Sequence, residues 1–164
     1  MAKNKEEKTN VMRVLEQKKI AYTAHSYPHE EGVAVDGVTV AKSMGFDPAQ
    51  VFKTLVARGA SGQYYVFDVP VAESLDLKKA ARAVGEKSIE MLHQKELLPL
   101  TGYVHGGCSP VGMKKLFPTV FHATADALET VIVSAGRIGY QVEVKPADLL
   151  ALVRGKTADV IVEN

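Results

Sequence analysis

The sequence predicts a mixed α/β (α+β) fold. Short apolar segments with the period of strands are mixed irregularly with amphipathic segments of helical period, and several neighbouring strands are spaced as hairpins. No regular strand–helix–strand alternation occurs and no G-x-G-x-x-G follows a strand, which argues against a Rossmann-type nucleotide site. With 164 residues, 46% of them hydrophobic, residues 1–164 are expected to form a single domain with its own core.

Two short helices and a strand are predicted in the first part of the chain. Residues 1–8 are polar and expected to be frayed, and the apolar positions of 9–19 then repeat with helical spacing. The segment "IAYTAHSY" (20–27) alternates as a strand does. A second helix is expected to end at Met44, because the next residue, Gly45, is of the type that commonly closes a helix.

A hairpin and an amphipathic helix are predicted in the middle of the chain. The strands "VFKTLVAR" and "QYYVFDVP" flank the turn "GASG". The following helix, 74–85, ends at a glycine. Its apolar face comprises Leu77, Ala80, Ala81 and Val84.

Short strands around a long glycine-rich loop are predicted in the last part. The strand "SIEML" precedes a helical turn, "QKELL", which Pro99 is expected to close. The strands "TVFHA", "TVIVS" and "YQVEV" follow the loop, and "AGRIG" forms the turn before the last of them. A final helix is predicted over 146–153, and "ADVIVE" (158–163) is expected to be a last strand.

Composition and charge narrow the classes of function. Twenty Lys and Arg against nineteen Asp and Glu give a net charge of +1, less basic than is usual for proteins that bind nucleic acid unaided. No apolar run approaches the roughly 20 residues of a membrane span, and "MAKNKEEKTN" lacks the apolar region of a secretory signal. A single cysteine cannot form an internal disulfide. We therefore expect a soluble cytoplasmic protein without membrane contact.

Lys53 is a candidate site residue because it lies in an otherwise apolar strand. An ammonium group there is costly unless it reaches water at the strand end or is paired. The alternative is a lysine held in a pocket, where it polarises a carbonyl or phosphate oxygen.

The loop segment "GGCSP" is the second candidate. Gly106 and Gly107 allow positive φ and close approach of a ligand to the backbone, so their N–H groups are candidates to hold a developing oxyanion. Pro110 stiffens the loop exit. An ordinary surface loop is the competing interpretation.

A protein nucleophile or metal site has little support. Cys108 needs a base, for which His105 is the nearby candidate, but a lone cysteine is more often a small buried apolar residue. His25 and His29 have a zinc-like spacing only on a helix, which the proline between them disfavours. No metal and no cofactor is expected. If the protein is an enzyme, its substrate supplies the reactive group.

Five motifs in order, "VFKTL", "LDLKKAA", "TGYVHGGCSP", "VSAGRIGYQVEV" and "PADLL", resemble those of the YbaK/EbsC family. The likeness covers about Lys8 to Val160, and the chain resembles most the branch of Cys-tRNA(Pro) deacylases. These proteins are freestanding relatives of the editing domain inserted in bacterial prolyl-tRNA synthetases. The resemblance implies a mixed α/β fold with a partly barrel-like sheet.

The resemblance also implies an activity. In this branch the thiol of the wrongly attached cysteine is thought to attack its own ester carbonyl, so that a cysteine thiolactone leaves and the tRNA 3′ end is freed. The implied partner is the 3′ end of aminoacylated tRNA(Pro), with Cys-tRNA(Cys) as another candidate substrate and prolyl-tRNA synthetase as a candidate protein partner.

Catalytic and binding residues follow from the same resemblance. Lys53 matches the family's essential lysine, and the N–H of Gly106, in its G-x-x-x-P motif, is expected to face the ester carbonyl. The expected substrate-binding residues are Tyr27, Thr54, Gly107, Pro110, Ser134 and Gln141.

Gln141 departs from the family pattern, in which some members have an aspartate. Glutamine accepts a hydrogen bond but provides no charge to hold an α-ammonium group. This departure leaves a non-catalytic aminoacyl- or tRNA-binding module as an alternative, beside a hydrolase that depends on Cys108.

Overall fold

A computed structural model describes residues 8–163, so most of the predicted frayed segment, residues 1–7, lies outside the described part. The helices are α1 (Asn10–Gln17), α2 (Gly37–Ser43), α3 (Leu77–Val84), α4 (Gln94–Thr101) and α5 (Pro146–Val153). The strands are β1 (Tyr22–Ser26), β2 (Phe52–Gly59), β3 (Tyr64–Pro70), β4 (Ile89–Met91), β5 (Thr119–His122), β6 (Val131–Ser134), β7 (Tyr140–Val144) and β8 (Lys156–Ala158). Among residues 8–163, none of the helices combines the length and the hydropathy of a transmembrane segment.

The strands form two sheets, which confirms the predicted mixed α/β class. A five-stranded mixed sheet has the order β4-β2-β3-β5-β8, with antiparallel pairing up to β3 and parallel pairing from β3 to β8. An antiparallel sheet has the order β1-β7-β6. A parallel bridge between Val51 and Ile132 joins the two sheets. Among the described strands the two sheets do not close into a barrel. The partly barrel-like sheet that the resemblance implied is therefore limited to the connection of the two sheets at this bridge.

The predicted hairpin of β2 and β3 is confirmed, and the edge of β2 that faces away from β3 positions the site. The two strands pair from Phe52 opposite Pro70 to Arg58 opposite Tyr64. On its other side β2 pairs with β4 only through residues 57–59. The first half of β2 therefore has an edge that β4 does not cover.

Two hydrophobic clusters lie on opposite faces of the five-stranded sheet. Phe52 and Val56 of β2 belong to the larger cluster, which also contains residues of α1, α5 and the antiparallel sheet. Ala57 belongs to the smaller cluster, which α3 covers. Because side chains alternate along a strand, Thr54 points to the same face as Phe52 and Val56.

Two expectations about the helices were wrong. Pro99 does not close the helical turn but lies inside α4, which continues to Thr101. Pro99 has no N–H to donate to the carbonyl of Lys95, but the helix continues for two residues beyond it, and the hydroxyl of Thr101 donates to the Leu97 carbonyl at 2.8 Å. Leu77, expected on the apolar face of α3, is 41% exposed because it is the first residue of that helix, at the edge of the covered face.

The last strand is also displaced from the predicted 158–163. Strand β8 ends at Ala158, where its parallel pairing with β5 stops. Val160 is buried, and its N–H donates to Nδ1 of His122 instead of to a neighbouring strand. Of the other apolar residues that suggested a strand, Ile161 forms an isolated antiparallel bridge with Leu75, and Val162 is 40% exposed.

Candidate functional site

A cavity of about 450 Å³ opens beside the uncovered edge of β2. Its walls come from β2, the segment before and including the start of α2, the glycine-rich loop, and the ends of β6 and β7. Six of the eight predicted site residues line it, namely Tyr27, Lys53, Thr54, Gly106, Ser134 and Gln141. Gly107 and Pro110 are buried in the loop and are not among the lining residues.

Lys53 is half-buried in the wall of the cavity. Burial lowers the pKa of its ammonium group, and the carboxylates of Asp36 and Glu73 oppose that effect. Both carboxylates act on it through their charge, and no hydrogen bond joins the Lys53 ammonium to another side chain in the part of the chain that the structure describes. Its donors are therefore available to a ligand.

The glycine pair separates into two roles. Gly106 has φ +89°, and a Cβ there would lie 2.6 Å from the Cβ of Ala34, so no larger residue fits without displacement. The N–H of Gly107 donates to the carbonyl of Val104 at 2.9 Å. Of the two N–H groups, that of Gly106 is therefore the candidate for contact with substrate.

Cys108 lines the cavity but is poorly suited to act as a nucleophile. Burial, with a smaller contribution from Asp68, raises the pKa of its thiol to about 12. The thiol is therefore protonated near neutral pH, whereas the reactive form is the thiolate. The candidate base, His105, is exposed.

The turn after β6 brings Ser134 and Gln141 together. The two residues are opposite each other in the β6–β7 pairing. Ser134 Oγ accepts from the N–H of Gly136 at 3.1 Å, which is the turn-capping role that its position predicts. Gln141 is 7% exposed, and its Oε1 has no hydrogen-bond partner among the described residues. An unsatisfied buried acceptor is costly, which supports a role at a ligand.

Tyr27 completes this wall of the cavity. It is buried, and its backbone N–H donates to the carbonyl of Gly139 at 2.9 Å. The chain after β1 is thereby tied to the turn that precedes β7.

Asp68 is a residue that sequence reasoning missed. It lies on β3 opposite Thr54, is fully buried, and its Oδ1 is 2.5 Å from Thr54 Oγ1. Burial raises the pKa of this carboxyl to about 8, against a smaller lowering by the hydrogen bond to Thr54. The available signal was an acidic residue inside the apolar run "YYVFDVP".

Asp36 was also missed, although it is the one carboxylate among the lining residues described. It caps α2 by accepting from the N–H of Thr39 at 3.1 Å. An aspartate three residues before a threonine, at the start of an apolar run, was the signal.

The two histidines with zinc-like spacing are directed to protein groups. His25 Nε2 lies 2.8 Å from Glu143 Oε1, and His29 Nδ1 lies 3.0 Å from the carbonyl oxygen of Tyr27. Over residues 8–163 no cluster of three or more His, Cys, Asp or Glu side chains could hold a metal ion.

Comparisons with a family model and with a curated relative identify one family. A model of the aminoacyl-tRNA editing domain matches residues 32–152. A protein of Enterococcus faecalis, provisionally named Cys-tRNA(Pro)/Cys-tRNA(Cys) deacylase EbsC, is 44% identical over 161 residues, 98% of each chain. The crystal structure of a protein provisionally described as a trans-editing enzyme for prolyl tRNA synthetase has a TM-score of 0.77 and 27% identity, over 93% of this chain and 95% of that one. A hypothetical protein at 20% identity shares the fold, with a TM-score of 0.81 over 93% of this chain and 99% of its own.

Proposed function

This chain belongs to the aminoacyl-tRNA editing domain family, and from that premise we propose that it is a trans-editing deacylase that removes cysteine from Cys-tRNA(Pro). Cys-tRNA(Cys), which the name of the Enterococcus faecalis relative includes, is the second substrate of the proposal. We further propose that the whole chain acts as one editing domain.

The observation that carries the proposal is the composition of the cavity. It combines a lysine with free donors, a glycine in the left-handed region and an unsatisfied amide oxygen, while its one thiol has a pKa of about 12. Such a site can position and polarise an ester but offers no ready nucleophile. A substrate that carries its own nucleophile suits this arrangement.

The reaction is an intramolecular acyl transfer. The thiol sulfur of the esterified cysteine attacks its ester carbonyl carbon, and the bond between that carbon and the ribose oxygen breaks. The thiol proton goes to the ribose oxygen, which leaves a free tRNA 3′ hydroxyl and a cysteine thiolactone. Because the thiol and the carbonyl belong to one molecule that the site holds in a reactive geometry, the reaction avoids the entropy loss of bringing two molecules together.

Residues of the cavity have distinct roles in this proposal. Lys53 contacts the tRNA 3′ terminus or the ester region, and the Gly106 N–H donates to the developing oxyanion. Thr54 and Tyr27 shape the pocket. The remaining substrate-binding residues are Ser134, Gln141 and, as supports of the loop behind the lining, Gly107 and Pro110.

In this proposal the protein binds the aminoacylated 3′ end of tRNA and contacts few other parts of the tRNA. A net charge of +1 fits a short contact with few phosphates, and prolyl-tRNA synthetase is the candidate protein that presents the substrate. Because aminoacyl-tRNA is used in the cytoplasm, the proposal implies a cytoplasmic location.

The test is deacylation of tRNA(Pro) charged separately with cysteine, alanine, serine and proline. We expect rapid loss of cysteine alone, since only cysteine carries the thiol. Loss of alanine or serine at the same rate would contradict the thiolactone route and indicate general hydrolysis. Binding of all four without turnover would favour a non-catalytic module, the function that the glutamine at position 141 leaves open.

A further inference from the structure

A buried carboxyl lies directly behind the cavity wall, and the proposed chemistry does not use it. Asp68 on β3 is 0% exposed and stands opposite Thr54 on β2. Thr54 lines the cavity, while its Oγ1 is 2.5 Å from Asp68 Oδ1. The threonine hydroxyl therefore connects the cavity to an acid that no substrate reaches.

The surroundings of Asp68 favour its neutral form. Burial is the dominant cause that raises its pKa to about 8. The titratable group that faces it is the Cys108 thiol, which is itself protonated, and its neighbour in register on β5 is Phe121. The ammonium of Lys53 interacts instead with Asp36 and Glu73.

The position of the proton on Asp68 follows from its hydrogen bonds. Its Oδ2 is buried and has no partner within residues 8–163. A proton on Oδ2 would be a buried donor without an acceptor, which is costlier and rarer than an unpaired carbonyl oxygen. A proton on Oδ1 instead donates to Thr54 Oγ1. Thr54 Oγ1 donates to Asp68 Oδ1 when the acid is ionised, and this direction is reversed when the acid is neutral with its proton on Oδ1.

We propose that Asp68 is a positioning residue that directs the hydroxyl hydrogen of Thr54 into the cavity, where it donates to an acceptor oxygen of the bound acyl ester. A hydroxyl has one hydrogen to donate. When Asp68 is protonated, that hydrogen is available to the ligand. When Asp68 ionises, Thr54 must donate to the carboxylate and offers only lone pairs to the cavity. This inference rests on the proposed deacylase function.

The test compares wild type with Asp68→Asn as a function of pH, because the asparagine amide donates to Thr54 at every pH. The measurement is kcat/KM for Cys-tRNA(Pro) between about pH 6 and pH 9.5, expressed as the ratio of variant to wild type. The ratio cancels the titrations of Lys53 and of the substrate thiol, which both proteins share. We expect a constant ratio up to about pH 8 and a rise of up to about tenfold per pH unit above it.

The threonine provides the matched control. In a Thr54→Val background, Asp68→Asn should leave the pH profile unchanged, because the group through which Asp68 acts is gone. If Asp68→Asn does not fold, the single variant Thr54→Val is decisive. The advantage of wild type over Thr54→Val should then disappear as the pH rises through about 8.

The possible results separate this inference from the proposed function. A flat ratio in an active wild type, or a rise that persists in the valine background, would overturn the role of Asp68 alone. A folded wild type without deacylase activity would overturn the proposed function and this inference with it.

Discussion

Gly106 and Ala34 approach so closely that a Cβ on the glycine would lie 2.6 Å from the Cβ of the alanine and 3.2 Å from its Cα. Gly106 also has φ +89°, a conformation that side chains disfavour. Both residues line the cavity, so this contact fixes the distance between the glycine-rich loop and the segment before α2.

Gly106→Ala is therefore expected to reduce deacylation as well as stability. The matched control is Gly62→Ala, since Gly62 has φ +93° but open space around its Cβ position. Both variants should lose about 1–2 kcal/mol from the positive φ. Only Gly106→Ala should lower kcat/KM, as measured with Cys-tRNA(Pro). Equal activity of the two variants would show that the contact with Ala34 does not shape the site.

Lys53→Met is expected to lower kcat about 100-fold or more, because the ammonium that polarises the ester region is lost while the length of the side chain is kept. Lys42→Met, at an exposed lysine of α2, should leave the rate unchanged. Single-turnover deacylation of Cys-tRNA(Pro) measures both. A variant at position 53 with the wild-type rate would remove the lysine from the mechanism.

Cys108→Ser is expected to keep most of the activity, because the thiol has a pKa of about 12 and takes no part in the substrate-assisted route. Serine is the cleaner test than alkylation, since a bulky adduct at Cys108 would fill the cavity. Initial rates of cysteine release report the result. A loss as complete as that of Lys53→Met would instead favour the Cys108-dependent hydrolase.

Asp68 is expected to make stability depend on pH. Its pKa rises from the ordinary 3.8 to about 8 on folding, so the native state binds the proton more tightly than the unfolded chain. This contribution is fully present below about pH 4 and is lost as the pH rises to about 8. Asp68→Asn should therefore gain stability relative to wild type by up to about 1.4 kcal/mol per pH unit across that range. Urea unfolding at several pH values measures the difference, and a constant difference would mean that Asp68 does not titrate on folding.

Features encoded locally were predictable from the sequence. The helical periods of α1 and α3 and the glycine that ends α3 needed only neighbouring residues, and the ordered motifs predicted the family, which the match over residues 32–152 confirms. Lys53 and Gly106 were identifiable because an ammonium in an apolar strand and a glycine pair in a loop are unusual by themselves.

Features that depend on distant partners were not predictable. Asp68 gains its significance from the threonine opposite it in the hairpin and from burial, neither of which its own neighbours in sequence reveal. Pro99 was wrongly taken as a helix end, because its lost hydrogen bond to the preceding turn is a local signal that does not reveal whether the helix continues. The separation of Gly107 from the cavity likewise follows from its hydrogen bond to Val104.

The bridge between Val51 and Ile132 gives the protein a way to change its selectivity without changing any residue that meets the substrate. β2 contributes one part of the cavity wall and the ends of β6 and β7 contribute another, and the two sheets join at this bridge. Ile132 is fully buried and does not line the cavity. A change in its size would alter the spacing of the walls, so divergence toward larger or smaller amino acids can begin in the core behind the site.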